Sequence, residues 1–405
     1  MDSGHTAWML MSTALVLLMT PGLAFFYGGM VRAKNVLAML MKNYIALGVV
    51  TILWVLVGAS LTFSGSTTIG DYGVIGDFKL WGLRDLGLSN DTFGLPYPDN
   101  VQMMFQLTFA IITPALIAGA IAERMKFTAW AVFVGIWSLL VYVPMAHWVW
   151  GGGFIGADIE ALDFAGGLVV HINAGAAALA LIMVLGPRLG FRKDIIRPHS
   201  LPLTVLGAGL LWFGWFGFNG GSAFAADAAA GNAFLTTQVA AATAATAWIV
   251  AEALTHGKPT TLGFVSGAVA GLVAITPAAG FVGPLGAMLL GLIAGVVCFY
   301  ALRLKFVLNL DDSLDVIAVH LVGGIVGSVL LGILAEEAYG GVAGSVDQLG
   351  RQALSVVIAL AYSFGVTYVI AKVLDMTIGI RASEEEERGG LDLALHEEQA
   401  YGFVE

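Results

Sequence analysis

The stretch FAGGLVVHINAGAAALALIMVL, residues 164–185, is long and apolar enough to sit in lipid, yet it carries His171 near its middle. A helix rises ~1.5 Å per residue, so ~20 apolar residues cross the ~30 Å of hydrocarbon in a bilayer. The pattern returns in VIAVHLVGGIVGSVLLGIL, residues 316–334, with His320 inside it. Working outward, apolar runs of this kind cover about 8–30, 42–63, 101–122, 128–149, 163–186, 203–222, 234–254, 263–281, 284–303, 316–335 and 353–374. They are long and do not alternate polar with apolar, which predicts helices rather than barrel strands. The chain of 405 residues is 58% hydrophobic and only 11% charged; a soluble domain carries ~25% charged residues. The fold class expected is an all-α integral membrane protein with eleven transmembrane helices.

The cations set its orientation. With the N-terminus outside, 15 of the 18 Lys and Arg fall on the cytoplasmic side, among them Arg32, Lys34, Lys42, Arg124, Arg188 and Arg381. Lys79, Arg84 and Arg351 fall opposite. The positive-inside rule therefore predicts N-out and C-in. The start, MDSGHTAWMLMSTALVLLMTPG, lacks a basic region and argues against a cleaved signal peptide. Cys298 is the sole cysteine, so neither an intrachain disulfide nor a multi-cysteine metal site is available. The net charge of −10 resides largely in the loop at 71–99 and beyond 383, which gives no reason to expect a nucleic-acid partner. Residues 1–375 read as the membrane domain, and 376–405 as a cytoplasmic tail containing ASEEEERGGLDLALHEEQAYGFVE. Many of the 53 glycines lie inside spans, where small residues let helices approach closely.

Two motifs recur with one offset. FFYGGMVR (25–32) and FGFNGGSA (216–223) share Phe-x-Gly-Gly at Phe26 and Phe218. VVHINAG (169–175) and AVHLVGG (318–324) share Val-His-x-x-x-Gly. Each pair lies five spans apart, and an odd offset reverses the crossing direction. This predicts a 5+5 inverted repeat, about 8–186 and 203–335, with a final helix at 353–374 and a pathway at the repeat interface.

Such a repeat would bring His171 and His320 together. A buried imidazole alone is often a packing device, but ionisable groups at this depth usually face the bundle interior or a pathway. Two facing histidines could ligate a haem. Alternatively, two neutral rings sharing one hydrogen bond leave one donor and one acceptor to line a narrow pore.

Aromatic residues gather at the predicted outer ends of spans. Phe105 and Phe109 stand one turn apart in NVQMMFQLTFAII; Trp148 and Trp150 lie in AHWVWGGGF; Trp215, Phe218 and Ser222 lie in LLWFGWFGFNGGSA. An interfacial belt accounts for individual tryptophans. A cation box is the sharper reading, since each ring face attracts a small cation by about 0.5–2 kcal/mol. Asp163, in ALDFAGG, suits a helix N-cap that also lends negative potential to that box.

With these residues assembled, the sequence resembles the ammonium transporters of the Amt/Mep/Rh family. The resemblance rests on PGLAFFYGGMVRAKNVL, FQLTFAIITPALIAGAIAERMKF, WGGGF, DFAGGLVVHINAG, WFGFNGGSA, EALTHGKPTTLGFVSGAVAGLVAITPAAG and DDSLDVIAVHLVGGIVG, in that order over nearly the whole chain. It implies recruitment of ammonium or methylammonium by Phe109, Trp150 and Ser222, with Asp163 as the stabilising carboxylate. It further implies a gate of stacked Phe109 and Phe218, and a pore lined by His171, His320 and Trp215. A homotrimer in the plasma membrane serving nitrogen uptake, with no enzymatic activity and no cofactor, is expected. A PII-type signalling protein is implied as a partner at the cytoplasmic face. One departure is Gly220 in Asn-Gly-Gly-Ser (219–222), where alanine is common in the family.

The physical expectation is that ammonium is bound at the aromatic mouth and separated from its proton near the gate. Neutral ammonia then passes the histidines, with net charge movement as the family's microbial members suggest. Crossing the hydrocarbon as an ion would cost many kcal/mol. Potassium, with no proton to release, is excluded. A sensor of ammonium with little flux is the alternative. An alkali-cation symporter lacks the carboxylate-rich midplane site it would need.

Overall fold

Leucine, alanine, valine and isoleucine dominate the apolar runs, and in lipid such a run satisfies its backbone only by coiling on itself. The computed structural model describes residues 1–402 other than 85 and 195; the last residues of the expected tail, 403–405, lie outside the described residues. The apolar helices are α1 (Ser3–Met30), α2 (Ala33–Phe63), α3 (Asp99–Ile117), α4 (Phe127–Ala157), α5 (Gly167–Leu185), α6 (Leu201–Gly221), α7 (Ala228–His256), α8 (Thr261–Ile275), α9 (Pro284–Val307), α10 (Ile317–Leu334) and α11 (Val346–Thr377). Ten of them are long and apolar enough to cross a bilayer. The exception is α8, with 15 residues. It stops short of the expected 263–281 because the chain turns at Thr276–Pro277, where proline has no N–H to extend the ladder.

Glycine packs α1 against α6. A Cβ added at Gly207 would strike the Phe26 backbone N and stand 2.6 Å from both Gly22 O and Phe26 Cα. At Gly217 it would stand 2.6 Å from the Leu15 Cβ. The two backbones therefore meet with no side chain between them, the close approach expected of small residues in membranes. Further on, α7 lies against α8 and α9, and α11 lies along α5 and α10.

Four stretches inside the helices widen to π turns: Trp54–Gly58, Ser138–Tyr142, Gly167–Ile172 and Ile317–Leu321. Two of them contain His171 and His320. Such turns are uncommon and concentrate where function bends a helix.

One end of the bundle carries the N-terminus and a small antiparallel hairpin, β1 (Thr67–Ile69) and β2 (Tyr72–Ile75). The other end carries the tail. Of the cations counted on the cytoplasmic side, Lys42 lies within α2 rather than in a loop, while Arg124 and Arg188 stand between helices, and all three are buried. Arg188 grips Asp311 through Nε at 2.8 Å and Nη2 at 2.9 Å, and reaches Glu123 at 3.2 Å. Glu123 also accepts from Arg32 N at 2.8 Å and Asn35 Nδ2 at 3.0 Å. Burial alone would raise the Glu123 carboxyl, but Arg188 and Arg32 outweigh it and hold the group below its usual range.

The tail is seated on this network. Ser383 and Glu386 form a capping box that starts α12 (Glu384–Gly389), followed by α13 (Leu391–His396). Glu387, 1% exposed, takes Arg381 Nη2 at 2.9 Å and the Leu189 N–H. Asp392 accepts from Leu37 N at 3.1 Å and Ala38 N at 2.8 Å, capping the start of α2. The acidic run is thus a docked pair of short helices rather than a free tail.

Candidate functional site

Asp163 begins the site. Its Oδ1 accepts from Gly166 N at 2.8 Å and Gly167 N at 2.6 Å; its Oδ2 accepts from Leu168 N at 2.8 Å and Val169 N at 3.2 Å. Four orphan donors of the first turn of α5 are satisfied by one carboxylate, at the positive end of that helix. The carbonyl of Asp163 accepts from Trp150 Nε1 at 3.0 Å, so the same residue positions the indole at the end of α4.

The aromatic residues converge as a column. Phe109 stands edge-on to Trp150 at 6.0 Å between centroids and lies against Phe218 at 4.3 Å with a 37° tilt. Phe105 joins Phe109 at 4.9 Å. Ser222 donates to Phe218 O at 2.8 Å, which leaves its oxygen lone pairs as acceptors. Phe109 and Phe218 are each 1% exposed.

Beneath them, Phe218 and Trp215 lie nearly parallel to His171, at 6.1 and 5.5 Å. Trp215 is fixed by its Nε1 donating to Thr276 Oγ1 at 2.9 Å. Next comes His320, whose Nδ1 stands 3.3 Å from His171 Nδ1 with the rings inclined by 25°. Only one proton can occupy that line. The ring that donates has a bare Nε2, and the ring that accepts carries its proton on Nε2. Either assignment leaves the pair with one acceptor and one donor. The His171 Nε2 is buried with no partner among the described residues. Both rings border a cavity of about 10 Å³ with Trp215, Phe218 and Phe26, close to the space of a single water.

This geometry removes the haem reading. An ion held between two imidazole nitrogens needs them about 4 Å apart, at ~2.0 Å to each. The Nδ1 atoms are closer than that, and the cavity has no space for a macrocycle.

The residues expected for the site are therefore brought together in one file: Trp150, Ser222, Phe109, Phe218, Trp215, His171 and His320, with Asp163 behind the rim. Two neighbours escaped the sequence reading. Phe224 meets Phe105 edge-on at 6.1 Å. Asp312 accepts from Val316 N at 3.1 Å and Ile317 N at 2.6 Å, capping α10 as Asp163 caps α5. The signal was present, since each aspartate stands eight residues before its histidine. Burial and the neighbouring Asp315 push the Asp312 carboxyl up to about 7.

Fold and site together define a polytopic helical membrane protein built around a buried column of aromatic and imidazole rings. The model of the Ammonium Transporter Family matches residues 7–401. An ammonium transporter of Mycobacterium tuberculosis (strain ATCC 25618 / H37Rv) is 50% identical, with 100% of this chain and 91% of the relative aligned. The crystal structure of Saccharomyces cerevisiae Mep2 superposes with a TM-score of 0.87 at 35% identity, covering 95% of this chain and 88% of that one. A structure of a sensor Amt protein superposes with a TM-score of 0.90 at 31% identity, covering 97% and 98%. The chain belongs to the ammonium transporter family.

Proposed function

We propose that this chain carries ammonium and methylammonium across the plasma membrane by separating the ion from one proton at the aromatic rim. The ion is recruited by Phe109, Trp150 and the Ser222 oxygen, with the Asp163 carboxylate adding negative potential from behind. Rings attract it without full ligation, so it is released easily. The stacked Phe109 and Phe218 offer no ligands to a bare cation, and the proton is shed there. Ammonia then meets a histidine pair that presents one acceptor and one donor, matching a molecule that both donates and accepts. Potassium has no proton to leave behind and is stopped at the rings. Net charge moves with each cycle.

The full arrangement proposed is eleven crossings, N-out and C-in, in a 5+5 inverted repeat with a final helix. Three such chains form a homotrimer with a pore in each, with no enzymatic step. Residues 376–405 regulate from the cytoplasmic face, where a PII-type protein docks. The matched cap-and-histidine spacing of α5 and α10 supports the repeat.

One observation carries the reading: the 3.3 Å contact of His171 and His320 beside a cavity sized for one small molecule. The test is ammonium-pulse current in reconstituted bilayers. Wild-type protein should give a current that potassium does not, and replacing both histidines with alanine should abolish selective ammonium flux. Unchanged flux and selectivity in the double variant would refute the reading. Absence of flux in the wild type would favour the sensor.

A further inference from the structure

Below His320, toward the tail end of the bundle, lies a cavity of about 110 Å³, roughly ten times the space beside the histidine pair. Its lining includes Tyr27, Trp248, Glu252, Ser266, Asp315 and His320. The two carboxylates differ. Asp315 is neutralised by Lys305 Nζ at 2.6 Å. Glu252 has no cationic partner among the described residues; its oxygens take only Thr260 N and Thr260 Oγ1, each at 2.9 Å. Each oxygen therefore keeps a lone pair for a further donor.

A second observation points into the same space. His320 is 4% exposed and uses its Nδ1 on His171, while its Nε2 has no hydrogen-bond partner among the described residues. The cavity thus presents a free carboxylate, a hydroxyl, an indole and an open imidazole nitrogen. That set fits a small monovalent cation that donates hydrogen bonds. A cavity of this size holds such an ion with a few waters, whose share is about 10–15 Å³ each in this measure.

We propose that this cavity is a second ammonium site, held by Glu252, Ser266 and the face of Trp248, and filled from the tail face. It rests on the ammonium reading above and extends it. The rim site meets its ion with rings and only a remote carboxylate; this one meets it with a formal charge, and so retains it. An ammonium ion here sits against the exit past His320 and opposes ammonia leaving the column. Ammonium on the tail face then slows inward flow by occupancy, beyond its effect on the gradient.

The experiment uses excised membrane patches containing the full chain, with both faces perfused separately. Current is evoked by ammonium on the N-terminal face while ammonium is titrated on the tail face. Wild type should show saturable inhibition, and E252Q should raise the half-inhibiting concentration about tenfold. S266A should raise it by less, and it serves as the second arm should E252Q fail to fold. Potassium on the tail face should inhibit far more weakly; equal block by potassium would overturn the assignment to ammonium. A normal current with unchanged half-inhibition in either variant would overturn this proposal alone. Absence of any ammonium-evoked current in the wild type would refute the transport reading, and this site with it.

Discussion

Replacing Asp163 with asparagine tests the rim from below. The carboxylate serves four N–H groups, two on each oxygen. Asparagine keeps one acceptor oxygen; its NH₂ then faces two backbone donors. Two charge-assisted hydrogen bonds disappear, each worth about 1.5–3 kcal/mol, so D163N should cost roughly 3–6 kcal/mol at this turn. The damage should spread both ways, to Trp150 through the Asp163 carbonyl and to His171 two residues beyond Val169. Asp312 is the internal comparison. It accepts only two N–H groups and is only partly ionised near neutral pH, so D312N loses one bond worth about 0.5–3 kcal/mol. Thermal unfolding in detergent, followed by tryptophan fluorescence, ranks the two, and ammonium-evoked current reports the site. D163N should melt below D312N, with D312N below wild type, and D163N should lose most of its current. A D163N protein with wild-type melting and current would refute the reasoning, since four bonds to one carboxylate would then be holding nothing.

Three further outcomes follow from the packing and the tail. G207A sets a Cβ against the backbone of α1, which cannot rotate away; a loss of about 1–3 kcal/mol or more is expected in thermal unfolding. R188M removes the cation that Glu123 and Asp311 share, while Arg32 stays on Glu123 and Arg124 stands 3.9 Å from Asp311; a cost of about 1.5–3 kcal/mol is expected, seen as early melting and faster proteolysis of the tail. In the docked tail, burial and then nearby Lys42 hold the His396 imidazole below its ordinary range. An undocked tail titrates near ~6.5. Docking is therefore complete above that value and weakens as pH falls from it toward the docked value. Hydrogen exchange across 384–396 should accelerate in that window, and H396Q should remove the dependence.

Much of the bundle was legible because lipid imposes one rule on the backbone, and apolar length reports it. The ring column was legible for a related reason, since Phe105 and Phe109 or Trp215 and Phe218 share helix faces by spacing alone. The two histidines stood out as titratable groups where such groups are costly. Other features were hidden by the same logic. Counting cations treats Lys42 and Arg188 as solvated, whereas both are buried among distant segments. Lys42 lies inside a helix that starts at residue 33, and its carbonyl takes Trp130 Nε1 at 2.7 Å. Arg188 meets Asp311, more than a hundred residues away in sequence, and no local pattern announces it. What the tail docks on was hidden too, because Glu387 and Asp392 find their donors in Leu189, Leu37 and Ala38. The wide turns at the histidines carry no compositional mark at all.

Those turns have a consequence for how the pore can be edited. A π turn behaves as an ordinary helix holding one surplus residue, and one residue of helix corresponds to about 100° of rotation. Deleting a single position between Gly167 and His171 should let α5 close into a regular spiral, more comfortable as a helix than the original. The imidazole would swing by that angle, away from its mate on α10. Shortening by one residue would thereby separate fitness to fold from fitness to conduct, with the surplus residue marking where the two demands diverge.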